Sequence, residues 1–514
     1  ITYLEHDRDK KDVGAYYTPT DVTRLIISQT LDRKVKDILV ETFASHATPP
    51  TEAVEESMRE DSLEKILRDI EQGEGWFGDT NGLADAEEKI LNLKTVDPAC
   101  GSGHFLTSLM TGIYRVWEAI YRGRHGRENP GEKEVYEARK QIALQAVYGV
   151  DINPIAVEIA KLRLWLKVIE GIEWERSFGP LPNIDMNITT GNALVGLPVQ
   201  RSNGLPFWAD DVEKLASLRE EHKYDSEGRK KDIIDVQEES IKPRYNDAFI
   251  NQFNEKYEWE PSSHKEFKAF MDSLSISDFS EIFSNQYIRV ENDGDDPLSE
   301  QQKNFLENKD FTLYKWVAKL RFKDLVDSFV VENKLDRNEA KSKAYEWVKS
   351  IGEENLTLQS VERQPTEYDI SNIQSEPLHW SVIFPELTSN GTDDHNIQFD
   401  VIVGNPPYGN ILNNSERLFV NYNLVGYNQD VSTPFVERQC QLLSEGGYFG
   451  NITTARLVYN GKTYRLHNFL RHRLGDVYFS SFGSRPSRIF KNADIRTSII
   501  TGKKETTESK SSIY

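Results

Sequence analysis

Two short apolar runs each end on an aspartate, and each feeds straight into a stretch with helical spacing. LKTVD (93–97) passes through the turn PACGSGHF into FLTSLMTGIYRVWEAIY, and AVYGVD (146–151) passes through INP into PIAVEIAKLRLWLKVI. The apolar runs are strand-length, and the apolar positions after them recur every three to four residues. Strand, glycine turn, helix, strand, acid, helix is the sequence form of a doubly wound α/β sheet. Ligands of such sheets bind outside the carboxyl ends of the strands, where both aspartates fall. NITTGNAL (187–194) reads as a third strand and turn.

The pattern then stops. Residues 200–395 are charged, dotted with Trp and Tyr, and mainly helical in pattern, with loop stretches such as ENDGDDPLSEQ (291–301). FDVIVG resumes the sheet at 399, a helix is expected around 432–444, and GGYFGNITT (446–454) is the next strand. DVYFSSF (476–482) and IRTSIIT (495–501) suit a closing antiparallel hairpin. The expected organisation is a helical segment (1–92), a first half of the sheet domain (93–199), an inserted, mainly helical region (200–395) and a second half (396–514). With 514 residues the chain exceeds one ordinary domain core.

Composition removes several classes. Only Cys100 and Cys440 are present, which excludes a disulfide scaffold or a cysteine-based zinc site and fits a reducing cytoplasm. No metal site is expected. There is no run of eighteen apolar residues to cross a membrane and no signal-peptide pattern. The chain opens on Ile1, so sequence ahead of it is expected. Neither cysteine follows a proline, as the nucleophile of cytosine-C5 methylation normally does. No P-loop, zinc cluster or PD…(D/E)xK nuclease pattern stands out.

The formal net charge is -21, against a general nucleic-acid coat, but the charge is uneven. Residues 456–504 hold eleven Lys or Arg against Asp476 and Asp494, so 11 − 2 gives +9 there and -30 elsewhere. A basic face on an acidic body can hold a polyanion at one place, whereas a solvated surface would have no ligand. Arg456, Lys462, Arg471 and Arg473 are the DNA-contact candidates.

Five motifs stand in order. In DPACGSGHFL (97–106), Gly101 and Gly103 permit a sharp turn and close approach to a ligand. Leu106 stands where a dinucleotide fingerprint has its third glycine, which disfavours a pyrophosphate. DPACGSGHFL resembles the first S-adenosylmethionine motif of class I methyltransferases. The resemblance implies a Rossmann-like domain and cofactor contacts from Asp97, Ala99, Gly101, Gly103 and Phe105, with the acid on the methionine ammonium. YGVDINP places Asp151 where an acid accepts from both ribose hydroxyls, followed by Ile152. A helix cap from Asp151 or Asn153 is the structural alternative, and both can hold. GNAL (191–194) offers Asn192 and Ala193, matching adenine methyltransferases in which an Asp or Asn meets the cofactor's adenine amine. AYYTP (15–19) resembles the segment that closes over the methionine end in the gamma arrangement, through Tyr17, Thr18 and Pro19.

The fifth motif, Asn405-Pro406-Pro407-Tyr408, matches NPPY of amino-methyltransferases. Adenine's exocyclic nitrogen is a poor nucleophile because its lone pair is delocalised into the ring. The Asn405 oxygen and the Pro406 carbonyl can hold both N–H bonds and favour a pyramidal nitrogen, with the prolines fixing both acceptors. Tyr408 then offers a stacking face for a base that leaves the duplex. Gly409 and Asn410 open a polar segment, NILNNSERL, expected to be a loop that orders on DNA.

Together the motifs resemble gamma-class N6-adenine DNA methyltransferases over roughly 12–200 and 396–504, most like BREX-type (PglX-like) enzymes and the methylase part of type IIG restriction enzymes. The resemblance implies S-adenosyl-L-methionine as cofactor, double-stranded DNA as substrate, base flipping and a restriction-modification or phage-defence setting. Those families usually add a target-recognition domain, and type IIG enzymes a nuclease. Both are expected from sequence beyond this chain, or recognition from a separate specificity or defence-complex subunit. Two alternatives stay open: an rRNA-amine or protein glutamine-amide methyltransferase, which also uses NPPY, and a partner-dependent DNA-binding subunit.

Overall fold

The computed structural model describes residues 18–47, 52–173, 183–195, 209–224, 233, 378–387, 398–409, 411, 430–459, 463–483, 489–490, 496–505 and 512–513. All of them belong to one compact unit, Ile1–Asn246 with Ile373–Tyr514. Tyr17, Lys462 and most of the insert lie outside the described residues, as does NILNNSERL apart from Ile411.

Among the described residues, five α-helices precede the sheet: α1 (Thr20–Gln29), α2 (Leu31–His46), α3 (Glu52–Glu60), α4 (Leu63–Gln72) and α5 (Thr80–Leu91). Residues 52–72 read as helical and charged, and they form two helices, α3 and α4, separated at Asp61 and Ser62. There Ser62 caps α4 by accepting from the Lys65 N–H (3.2 Å). Next come β1 (Thr95–Asp97), α6 (His104–Arg124), α7 (Glu132–Gln145), β2 (Val147–Asp151), α8 (Pro154–Val168) and β3 (Ile188–Thr190). After α9 (Ala209–Tyr224) come β4 (Phe399–Gly404), α10 (Ser432–Leu442), β5 (Leu443–Thr454), α11 (Tyr464–Arg473), β6 (Leu474–Phe482), β7 (Thr497–Lys504) and β8 (Ser512–Ile513).

The eight strands form one sheet in the order β3-β2-β1-β4-β5-β7-β6-β8. From β3 to β5 every pairing is parallel, and β7 enters antiparallel between β5 and β6. This is the expected α/β class, a mostly parallel class I methyltransferase sheet with a late antiparallel hairpin. Central strands are apolar on successive residues because both faces are covered; Val401, Ile402 and Val403 are all fully buried.

The acid inside β4 also has a reason. Asp400 accepts from the Lys94 N–H (2.9 Å) and lies 3.3 Å from the Lys34 ammonium, while its own N–H donates to the Lys94 carbonyl (2.8 Å). It therefore pins the start of β4 to β1 and α2.

Residues 209–224 and 378–387, near the two ends of the region read as an insert, pack on the sheet unit. Arg219 of α9 bonds Glu386 (2.9 Å) and the Met186 carbonyl (2.9 Å), and Lys223 adds a second cation 3.8 Å from Glu386. Trp380 and Phe384 join Tyr148 of β2 and Phe399 of β4 in an edge-to-face aromatic cluster, with Tyr148–Phe384 centroids 5.3 Å apart.

Candidate active site

The first half-site grows from the end of β1. Asp97 is fully buried and accepts from the Ala99 N–H (3.0 Å), which starts the turn. Gly101 takes a left-handed φ of 52° with open space where a Cβ would point. Gly103 is also left-handed (φ 82°), but its close approach is to the protein and not to a ligand. A Cβ there would lie 2.9 Å from Ala160 Cβ of α8. Phe105 is buried under the turn.

The turn is tied to the second acid. Asp151 accepts from the Gly101 N–H (2.7 Å) and the Asn153 N–H (2.9 Å). The helix cap belongs to Asn153, which accepts from Ile155 (2.9 Å) ahead of an α8 that opens on Pro154. Ile152 and Ile155 beside it are 48% and 52% exposed, an apolar shelf next to an acid. Gly191 donates to the Asp151 carbonyl (2.9 Å), bringing GNAL to the same edge. Asn192 is buried and accepts from the Leu194 N–H (3.1 Å); Ala193 is buried, and its carbonyl accepts from the Trp380 indole (3.2 Å). Thr18 is buried, and the Pro19 carbonyl accepts from Val22 and Thr23 to start α1.

Burial pushes the Asp97 carboxyl up to about 8, against the pull of the Ala99 N–H and with a further push from Asp151. Burial also raises Asp151, opposed by the N–H groups of Asn153, Gly101 and Ile152. A buried acid and a half-buried one, both with raised carboxyls, favour a ligand that brings positive charge and hydroxyl donors. With open backbone at Gly101 and an apolar shelf for a flat ring, the residues fit a cationic nucleoside such as S-adenosylmethionine.

The second half-site is the end of β4. A Cβ at Gly404 would lie 2.9 Å from Asp97 Oδ1 and 3.5 Å from Asn451 Oδ1. Only a glycine lets the two strands bring Asp97 and the Asn405 turn this close. Asn405 is half-buried, and its side-chain oxygen accepts from the Tyr408 hydroxyl. Tyr408, expected from sequence to offer a stacking face for the base, is buried, with its ring centroid 6.4 Å from that of Phe490. Beneath the site, Gln439 donates to Asn451 (3.1 Å), fully buried.

Phe490, Asn451 and Asp430 carry no motif signal, so sequence reasoning passes over them. Phe490 sits in RPSRIFKN and becomes visible only when the fold sets it against Tyr408. Arg456, Arg471 and Arg473 are exposed. The basic run 456–504 is not one free face, because Lys503 is paired with Asp37 (2.7 Å) and Lys504 with Glu445 (3.4 Å). Among the described residues there is no group of three metal-ligating side chains and no helix long and apolar enough to cross a membrane.

The sheet and its two acid-lined turns define a class I methyltransferase domain. A family model described as the Eco57I restriction-modification methylase matches residues 145–481, and the chain belongs to that family. A second, the MmeI DNA-methyltransferase domain, matches residues 74–195. A Methanocaldococcus jannaschii protein, named as a type II restriction enzyme and methyltransferase, is 26% identical over 96% of this chain and 36% of its own length. The adenine-specific methyltransferase PglX of Streptomyces coelicolor is 44% identical over 14% of this chain and 5% of its own length. Among solved structures, the type IIL restriction-modification enzyme MmeI in complex with DNA aligns at a TM-score of 0.40 and 11% identity, covering 99% of this chain and 41% of that one. The chain therefore spans little more than a third of the length of its M. jannaschii relative.

Proposed function

We propose that the chain transfers a methyl group from S-adenosylmethionine to the exocyclic N6 amine of an adenine flipped out of double-stranded DNA, within a restriction-modification or phage-defence system. The contact between Gly404 and Asp97 carries this reading: it sets an amide acceptor for an amine one strand away from the acid suited to a cationic cofactor. When bound, the cofactor supplies an electrophilic methyl. Asp97 would hold its ammonium, Asp151 its ribose hydroxyls and Ile152 its adenine ring.

Asn405 and the Pro406 carbonyl accept the two N–H bonds of the target amine and aim its lone pair. A carbonyl oxygen has two lone pairs, so the Tyr408 hydroxyl can hold the Asn405 amide in place while the amine is accepted on the other. Phe490 moves aside to admit the base, which stacks on the ring of Tyr408. Arg456, Arg471 and Arg473, with Lys462, hold the phosphates, and a separate specificity subunit or further sequence selects the site. Incubating the protein with tritiated S-adenosylmethionine and duplex DNA, ribosomal RNA or glutamine-containing protein tests the substrate class. Label is expected in DNA as N6-methyladenine; label only in RNA or protein rejects the reading.

The raised carboxyl of Asp97 predicts a pH dependence. The folded chain keeps a proton between the ordinary value of 3.8 and about 8 that the unfolded chain has lost. The stability contributed by this group is thus full below the lower value and lost as pH rises through the upper one. Cofactor needs the ionised form, so the thermal shift on adding it should grow with pH over the same interval. Asp97→Asn should flatten both trends. A cofactor shift independent of pH in the parent would remove the assignment.

A further inference from the structure

The four NPPY residues leave β4 on a turn, and something must hold that turn still while a base enters. Gly409, the residue after Tyr408, is left-handed (φ 85°), which ends the turn abruptly. Its N–H donates to the Asp430 carboxylate (3.3 Å), and its carbonyl accepts from the Val431 N–H (2.9 Å). Two points 21 residues apart in sequence are thereby bonded in both directions. The same Asp430 oxygen accepts from the Ser432 N–H (3.1 Å) and the Ser432 hydroxyl (2.7 Å) at the start of α10. The other oxygen accepts from the Thr454 hydroxyl (2.8 Å) at the end of β5.

We propose that Asp430 is a positioning residue that clamps the exit of the NPPY turn to α10 and to β5, so that Asn405 and Tyr408 keep their place relative to Asp97. It touches none of the motif side chains through these bonds and acts on them through Gly409. One carboxylate serving donors from three elements is a strong local restraint, because bonds to an ionised acceptor are shorter and stronger than neutral ones. β5 pairs with β4 at Gly404↔Asn451, so the clamp and the sheet hold the turn from its two ends. Everything between Gly409 and Asp430 can then change without displacing the acceptor. The clamp rests on the methyl-transfer reading above for its consequence, but not for its geometry.

The test compares Asp430→Ala, Asp430→Asn and Thr454→Val with the parent in the full chain. Three quantities are measured: cofactor affinity, single-turnover methyl transfer, and amide hydrogen exchange over 405–409 and 431–432. Asp430→Ala should slow transfer by about ten- to a hundredfold, the scale of a small misplacement of a reacting group. Cofactor affinity should hold, and exchange at Gly409 and Ser432 should quicken. Asn should restore most of the rate, since its oxygen can serve Gly409 and Ser432 while its nitrogen donates to the Thr454 hydroxyl. Thr454→Val removes one donor and should give a smaller loss in the same direction, which keeps the test open if Asp430→Ala does not fold. Parental transfer rate and parental exchange in a folded Asp430→Ala protein would overturn the clamp. If the parent itself transfers no methyl to DNA, the functional reading fails, while the exchange measurement still decides the clamp.

Discussion

An Asn405→Ala protein is expected to bind its cofactor as the parent does and to transfer methyl groups about 10²–10³ times more slowly, the usual loss when one preorganised polar group at a reacting centre is removed. The side chain is half-buried on a turn beyond β4, so alanine leaves no core cavity. The residues proposed to hold the cofactor end or follow β1 and β2 and lose nothing directly. What is lost is the oxygen that accepts from the Tyr408 hydroxyl in this structure and that is proposed to accept from the amine. Asn405→Asp keeps an acceptor oxygen and should retain more activity than alanine. Rapid-mix transfer of a tritiated methyl group with enzyme in excess reads the chemical step apart from product release. Undiminished transfer by the alanine variant would end the assignment of this turn as the target site.

Arg219→Ala should destabilise the folded protein by about 3–5 kcal/mol, the range for breaking a buried ion pair. Arg219 is 2% and Glu386 6% exposed at the side chain, and their bond is 2.9 Å long. Burial alone would raise the Glu386 carboxyl, but Arg219 and Lys223 beside it hold it below its ordinary value. With Arg219 gone, Lys223 at 3.8 Å is a poorer partner, and a carboxylate stays in the interior. Replacing both partners, as Arg219→Met with Glu386→Leu, should return most of the stability. A depressed folded value contributes stability above the unfolded value and loses it as pH falls through the folded one. The parent should therefore weaken on acidification more than the double variant. Urea unfolding at neutral and acid pH measures both effects, and an unchanged midpoint in Arg219→Ala would show that the pair contributes little.

The sheet and its ligand edge were legible in the sequence because their signals are local. An apolar strand, an acid and a glycine turn occupy consecutive residues at Asp97, and much the same grammar repeats at Asp151. NPPY is equally local. The remainder depends on partners far apart in the chain. Arg219 and Glu386 are 167 residues apart, and each reads as an ordinary surface charge until α9 folds over the other's turn. Lys503 and Lys504 look like part of a basic face, yet their acids are Asp37 and Glu445. Asp430 lies in a polar stretch with no periodicity, and its role exists only where β5 and α10 meet the turn. Tyr408 was legible as an aromatic at the site but not as a buried one, since Phe490 lies 82 positions later in sequence.

The contact between Gly404 and Asp97 has a consequence for how such a domain can diversify. On the proposed reading, the separation of Asp97 from the Asn405 turn, and so of methyl donor from acceptor, is set by one rung of a β-ladder, the pairing of Val96 with Ile402. Neighbouring strands are about 4.8 Å apart in any sheet. A reaction gauge built into backbone hydrogen bonds does not depend on how the chain travels between its two ends. Asp97 and Asp151 precede residues 247–372 and Asn405 follows them, and lengthening or replacing that excursion leaves the gauge untouched. Target choice and partner choice can thus evolve in the excursion while the chemistry stays calibrated by the sheet.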